Sequence, residues 1–398
     1  MNARMPRVAV IGGSMAGLTA ALALQEIGCD VNIYERARAH LSGMGAGIVL
    51  NPVTVAYLHG RPNFDLDSAS ITTHHVYYLS ANDEIIHDQI SAHRLGSYNT
   101  LYRELIGRFD AARYHLSATL RAISQKDDIV SAQLLNGKVI ACDLLVCADG
   151  IRSAGRRLLF PEIDATYAGY VAFRGTVKQS QMETKRFDRF ADAITYHLLP
   201  SSHILVYPIP RDGANEPSSR SELNWLWYRN VTSGQALSDL LMDRDGVTRD
   251  LSVPLGMMSD KARHHLHEDA AVLPASLRDI VRATELPFVQ VIVDLEMKRM
   301  VSGRACLIGD AAFVARPHAA AGTAKAAADA LSLARALSEA DGDVPIALAS
   351  WEPEQLALGM SVVARTRLAG RRAQVTNEWQ VGEALPFGLY QSGDSIMA

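Results

Sequence analysis

Asp310 stands directly after an apolar run, Ala305 to Ile308, and a glycine, Gly309; Pro317, His318 and the small residues Ala319 to Gly322 come next. The apolar run reads as a short buried strand and the glycine as its sharp exit. Ala324 to Leu337 is rich in Ala and Leu, strong helix formers, so Gly322 and Thr323 stand where a helix begins. A helix start offers unpaired N–H groups and the positive end of the macrodipole. Small side chains at Ala321, Gly322, Thr323 and Ala324 leave room there for a large anionic partner. An aspartate at a strand end can accept hydrogen bonds from hydroxyls. A polyol phosphate carrying a ring that becomes anionic satisfies both features. His318 lies in the loop between them, and its residue type titrates near neutral pH. It is the first candidate for holding or removing a substrate proton, beside a purely structural role in turning the loop.

A second constellation lies near the N-terminus. Arg7 to Ile11 reads as a buried strand, Gly12-Gly-Ser-Met-Ala-Gly17 as a tight turn, Leu18 to Ile27 as a helix, and Val31 to Glu35 as a second strand. Glu35 lies 23 residues after Gly12, near the spacing of about 20 at which an acid binds the ribose hydroxyls in a dinucleotide fold. Ser14 replaces the second glycine of the usual pattern; its side chain narrows the approach of a diphosphate and adds a hydroxyl donor. The two constellations point to FAD, with Gly12, Ser14, Met15, Ala16, Glu35 and Arg36 as contacts in this half. Met44 to Pro52 is a further small-residue stretch, in which Gly47 is a candidate for backbone contact with the cofactor and a simple turn is the alternative. Asp149-Gly150 ends another buried strand, Asp143 to Ala148, and Ser153 reads as the N-cap of the helix after it.

The elements that must position these groups follow from the rest of the chain. Its 398 residues suggest two domains or one large composite. Hydrophobic content of 48% and charged content of 21% are ordinary for a globular enzyme. A net charge of −4, with no basic patch interleaved with aromatics, argues against a nucleic-acid partner. The apolar run after Arg4 and Arg7 superficially resembles a signal peptide, but Gly12, Gly13 and Gly17 explain it better. No stretch of about 18 uninterrupted apolar residues suggests a membrane span. Cys29, Cys142, Cys147 and Cys306 form no Cys-x-x-Cys pair and read as reduced packing residues of a cytoplasmic protein; no metal site is expected.

Strand pairs are expected at 74–80 and 84–89, a helix at 100–109, strands at 114–124, 129–135 and 138–142 around an Asn136-Gly137 turn, and a loop at 212–219. From Tyr167 to Asp294 strand-like runs dominate, and Tyr170, Phe173, Tyr196, Tyr207, Trp225, Trp227 and Tyr228 suggest an antiparallel sheet with one aromatic face. That face is a wall for a flat ring, or plain core. Residues 345–374 return to helix, with a break or kink at Pro353. The fold class is mixed α/β. A Rossmann-like FAD-binding domain comprises 1–70, 96–166 and 298–343, a sheet-built substrate domain 71–95 and 167–297, and a C-terminal helical region 344–398.

Gly12-x-Ser14-x-x-Gly17 with Glu35, Asp149-Gly150-x-x-Ser153-x-x-Arg156, and Gly309-Asp310 with Pro317 together resemble the single-component flavin hydroxylases of the para-hydroxybenzoate hydroxylase type. The resemblance covers nearly the whole chain. It implies that the first motif holds the ADP half of FAD, that Asp310 binds the ribitol, and that Asp149 serves both FAD and NAD(P)H. Thr166 to Val171, Tyr207-Pro-Ile-Pro210 and Arg316-Pro-His-Ala-Ala-Ala-Gly322 are similar to the dihydroxypyridine-hydroxylating branch of that family. Tyr98 is a departure: many members carry an arginine there, near the flavin phosphate and ribitol, and whether Arg103 replaces that contact stays open.

The implied reaction uses NADH or NADPH and O2 to hydroxylate a small aromatic substrate, a hydroxylated N-heteroaromatic ring, through a flavin C4a-hydroperoxide in a dry pocket. His203 and Tyr207 on the sheet are further catalytic candidates. Arg174 is another, for an anionic substrate or a moving flavin, with an ordinary salt bridge as its alternative. Rival readings are a hydroxylase of other phenolic or carboxylated rings, decarboxylating or not; a flavoprotein oxidase or reductase; a non-catalytic flavin-binding regulator; and a flavin-dependent halogenase. The last is suggested by Trp225-x-Trp227 and weakened by the lack of a following Ile-Pro. The oligomeric state stays open between monomer and homodimer.

Overall fold

The structure is a computed structural model, described here for residues 4–41, 47–211 and 221–395. Met44, Gly45 and Ala46 of the small-residue stretch and the loop expected at 212–219 lie outside the described residues.

Two sheets organise the chain. The first has six strands in the order Val301–Ser302, Ala305–Leu307, Leu144–Cys147, Arg7–Ile11, Asp30–Tyr34 and Tyr114–His115. All its pairings are parallel except that of Val301–Ser302 with Ala305–Leu307. Its central strands are apolar and buried throughout, as a parallel sheet covered on both faces requires. Helices Met15–Glu26 and Gly322–Glu339 pack against each other beside it.

The second sheet has nine strands, from Ser252–Val253 at one edge through Phe288–Asp294, Thr166–Lys178, Ser221–Asn230, Ser202–Pro210, Ala193–Leu199, Ser70–Leu79 and Ile85–Ser97 to Gly47–Val49. It is antiparallel except where Ala193–Leu199 runs parallel to Ser70–Leu79. Its aromatics do not share one face. Strand side chains alternate, so Phe173, Trp225 and Trp227 fill one core, with Trp225 Nε1 donating to Thr284 Oγ1 at 2.8 Å. Tyr170, Tyr196, Tyr207 and Tyr228 line the opposite face. The tryptophans are thus packing residues behind the wall rather than part of it.

Other expectations change at particular residues. The run expected as one strand over 114–124 divides: Tyr114–His115 joins the large parallel sheet, and Leu120–Lys126 forms a three-stranded sheet with Ile129–Leu134 and Val139–Cys142. Ser117, left-handed at φ 56°, turns the chain between the two pieces. Gly137 takes the positive φ of the expected hairpin turn. Helices Gln235–Leu241, Asp260–Asp269 and Ala275–Ala283 interrupt the region read as strands. Their signals were present: Ser259 caps Ala262 N, and Leu277, Ile280 and Val281 make a buried helical stripe.

Helix Val344–Gln374 runs through Pro353 without a break. Tertiary contact outweighs the lost hydrogen bond. Trp351 is 2% exposed and donates from Nε1 to Ser332 Oγ at 2.9 Å, and Leu348, Val362 and Val363 are buried along the same helix. No helix among the described residues is long and apolar enough to cross a membrane.

Candidate active site

The two constellations converge. Gly309 bends with φ +58°, and a Cβ there would stand 3.2 Å from both Ala16 Cβ and Ala326 Cβ. The Gly309–Asp310 turn therefore lies wedged between the N-terminal ends of helices Met15–Glu26 and Gly322–Glu339. Neither helix is capped by a side chain, so Met15 and Ala16 at one start, and Gly322, Thr323 and Ala324 at the other, keep N–H groups for an outside partner. Ala321 is the N-cap of the second helix, reached through Ala320 in a left-handed conformation at φ 51°. The space over Gly322 is open. The Asp310 side chain is exposed to this cleft and takes no hydrogen bond from a described residue. The protein packed around it raises its pKa to about 6, against the water that reaches it from the cleft.

Gly12 makes the closest approach in the turn: with φ +98°, a Cβ would meet the Ala148 carbonyl oxygen at 2.4 Å. Glu35 is buried, and its Oε2 and Oε1 accept from Gly13 N and Ala37 N, each at 2.8 Å. Those bonds fix the carboxylate at the second strand's end and leave lone pairs for a ribose. Arg36 beside it is exposed. Two uncapped helix starts, an unengaged aspartate, an anchored glutamate and a glycine cradle fit FAD, with the diphosphate on the first helix and the ring against the second.

Asp149 has a more local task. Its Oδ2 accepts from Ala154 N at 2.6 Å and from Gly155 N at 3.2 Å, and its Oδ1 from Ser153 Oγ at 2.5 Å. It fastens the start of helix Ala154–Leu159, where Ser153 also caps Arg156 N. Arg156, 1% exposed, donates to Ala311 O at 3.1 Å and Ile151 O at 2.7 Å. The Asp149-Gly150 motif is thereby stapled to the residue after Asp310, a link that spacing alone did not show.

A cavity opens on the tyrosine face of the large sheet. Its empty space, mouth included, is about 560 Å³, and Tyr196, His203, Tyr228, His318, Trp379 and Phe387 are among its walls. The rings pack closely: His203 lies 4.6 Å from Tyr228, 4.8 Å from Trp379 and 5.6 Å from His318 between ring centroids. Two of the four catalytic candidates, His203 and His318, are brought together here. Tyr207 shares the sheet face but stands beside Gly47, where a Cβ would meet its ring at 2.5 Å. Arg174 donates to Gln290 Oε1 at 3.0 Å and lies over the Phe288 ring; it makes no ion pair among the described residues. Trp379 and Phe387 come from the C-terminal segment, which has no periodicity to announce it. Arg372 and Glu383, bidentate at 2.7 Å for each bond, clasp that segment to the long helix.

The histidines are held neutral, which revises the reason for choosing His318. Burial, with Arg316 nearby, pushes its pKa down to about 3, and burial also takes His203 well below its ordinary value. Tyr170 OH lies 2.7 Å from His318 Nε2. Arg316 is fixed by two bonds to Asp294 at 2.9 and 2.8 Å and also hydrogen-bonds Tyr170. With Arg316 donating to its oxygen, the Tyr170 hydroxyl donates to His318 Nε2, so that His318 carries its proton on Nδ1. Gln374 Nε2 donates to His203 Nδ1 at 2.9 Å, placing the His203 proton on Nε2. Each histidine therefore offers one N–H as a donor, and neither is poised as a strong base. Tyr170, Arg316, Asp294 and Gln374 were not among the candidates, because side chains some 150 residues apart in the chain meet only here.

An FAD-binding domain family matches residues 5–218 and 262–366, and an FAD-binding-domain-like family matches 167–294. A 2,6-dihydroxypyridine 3-monooxygenase of Paenarthrobacter nicotinovorans is 37% identical over 98% of this chain and 97% of that protein. The solved structure of 2,6-dihydroxypyridine-3-hydroxylase from Arthrobacter nicotinovorans superposes with a TM-score of 0.92 at 36% identity, covering 98% of each chain. Salicylate hydroxylase of Pseudomonas putida is 26% identical over 88% of this chain and 82% of its own. With the cofactor cleft and its motifs in place, the chain belongs to the FAD-binding family of flavoprotein aromatic hydroxylases.

Proposed function

We propose that the substrate is a hydroxylated N-heteroaromatic ring without a carboxylate, of the dihydroxypyridine class. The carrying observation is the charge state of the cavity: its histidines are neutral donors, and its lining arginine, Arg372, is already satisfied by Glu383. A carboxylate buried there would find no free cation among the cavity's own described walls, Arg174, without an ion pair among the described residues, standing on the same sheet face outside them, and burial without one costs several kcal/mol. A ring bearing two oxygens suits the two N–H donors. The family resemblance to dihydroxypyridine hydroxylases supports the same ring.

Bound FAD would supply the hydride acceptor for NADH or NADPH and the transfer of one atom of O2 to the ring, the other atom leaving as water. The chain's own groups do the rest. His318 Nδ1–H and His203 Nε2–H hold and orient the ring oxygens as neutral donors. Tyr196, Tyr228 and Trp379 wall the ring. The clasped C-terminal segment keeps water out, limiting wasteful loss of oxygen as peroxide. Asp310 and Glu35 hold ribitol and ribose hydroxyls, and Asp149 and Arg156 hold the Asp310 turn in place.

The test is oxidation of NADH and NADPH by the FAD-loaded protein with 2,6-dihydroxypyridine, other hydroxypyridines, salicylate and 3-hydroxybenzoate, following product mass and peroxide together. Gain of one oxygen on a hydroxypyridine with little peroxide is expected. Efficient hydroxylation of the carboxylated rings would overturn the reading, and halide-dependent product would indicate a halogenase.

The division into an FAD domain (1–70, 96–166, 298–343), a sheet domain (71–95, 167–297) and C-terminal helices is part of this proposal, supported by separate buried clusters on the two sheets. Four unpaired, buried cysteines favour the reducing cytoplasm. Ile85, Ile86 and Ile90, exposed along one strand, favour a homodimer, which sedimentation would test.

A further inference from the structure

Ser14 sits at the N-cap of helix Met15–Glu26 with extended backbone, φ −86° and ψ −165°, yet makes no cap hydrogen bond. Serine at this position ordinarily turns its oxygen back onto the helix N–H groups. Here Ser14 Oγ lies 2.6 Å from Tyr98 OH instead. Tyr98 opens helix Tyr98–Ile106 and stacks on Tyr102, with ring centroids 6.0 Å apart and planes 7° apart. Tyr102 OH is in turn fixed by Leu41 N at 3.1 Å. The turn beside Ser14 is held independently, by Tyr114 OH donating to Gly13 O at 3.0 Å and by Glu35 accepting from Gly13 N. The serine hydroxyl is thus taken off the helix end and placed by a rigid phenol, while the helix N–H groups stay free.

We propose that Tyr98 and Ser14 act as one hydroxyl pair that donates to the diphosphate of FAD. Two hydroxyls carry two protons, and their mutual bond uses one. Whichever oxygen donates within the pair, the other keeps a proton directed outward to an anion. The pair therefore offers a donor without introducing a buried cation.

The experiment is FAD titration of the apoprotein by flavin fluorescence for wild type, Ser14→Ala, Tyr98→Phe and the double variant. Competition by ADP and by adenosine is measured for each. Loss of one hydrogen bond of this kind weakens binding by roughly 3- to 10-fold. Each single variant should lose that much FAD affinity, and the double variant should lose little more than either, because the two residues form one unit. ADP should weaken in parallel, and adenosine, lacking phosphate, should not change. Tyr98→Phe keeps the stacking ring and Ser14→Thr keeps a hydroxyl, so the former separates the hydrogen bond from packing and the latter should retain most of the affinity. Wild-type affinity in Tyr98→Phe, losses that multiply in the double variant, or an equal loss for adenosine would overturn the proposal.

Discussion

Lowering the pH from 7.5 to 5.5 should remove about 4 kcal/mol of folding stability through three histidines. His93, His203 and His318 are 4%, 2% and 8% exposed, and burial holds all three below the ordinary value of 6.5, His93 at about 4 and His318 at about 3. The sign follows from proton uptake. The unfolded chain protonates each histidine below pH 6.5, whereas the folded chain refuses the proton until far lower. Stability from these groups is complete above pH 6.5 and falls as the pH drops through that value. At pH 5.5 each contributes a loss of about 1.4 kcal/mol, one pH unit below the unfolded midpoint. His197, buried and lowered, adds to the same trend. Asp310 works the other way but is open to cleft water, so it offsets only a fraction. The assay is urea unfolding of the FAD-free protein at the two pH values, with His93→Gln and His318→Asn as variants. Each variant should reduce the pH-dependent difference by about a third. A difference below about 1 kcal/mol in the wild type, or one that both variants leave intact, would refute the claim that these histidines are neutral and buried.

Other consequences are as direct. Lys325 and Asp329 form an ion pair, 3% and 0% exposed, and Asp329 Oδ2 also accepts from Gly309 N at 2.8 Å. Asp329→Asn should cost about 3–5 kcal/mol in urea unfolding by stranding the lysine, and adding Lys325→Met should restore most of it. Gly17→Ala should abolish FAD binding, since its Cβ would lie 1.9 Å from Gly12 O in the cofactor turn; retention of bound flavin after purification would contradict this. Arg372→Leu removes a half-exposed clasp, worth about 0–1 kcal/mol to stability, so the melting temperature should scarcely move while peroxide release per NAD(P)H rises. Tyr170→Phe should lower the coupled fraction and shift its pH profile, because His318 Nε2 loses its partner; an unchanged profile would remove Tyr170 from the site.

The cofactor half of the protein was legible in the sequence because its signals are local. A tight turn needs glycine at Gly12 and Gly17, a ribose acid belongs at the end of the next strand, and Asp310 follows an apolar run, whatever the distant chain does. Strand alternation was legible too, but parity divides Trp225 and Trp227 from Tyr228, and only pairing in the sheet decided which set faces the ring. Pro353 predicted a break or kink; the helix continues through it, with Trp351 buried alongside. Of the substrate cavity, the aromatic strands and both histidines were read in the sequence, but not how they meet. Tyr170, His203, Tyr228, His318, Gln374 and Trp379 come from four separate regions, and the hydrogen bonds that orient the two histidines, which burial keeps neutral, exist only when those regions meet. The residue types proposed to bind the cofactor were thus determined by the chain itself. The protonation and orientation of the groups around the substrate were decided by tertiary burial, because desolvation depends on every element packed against a side chain and on none of its sequence neighbours alone.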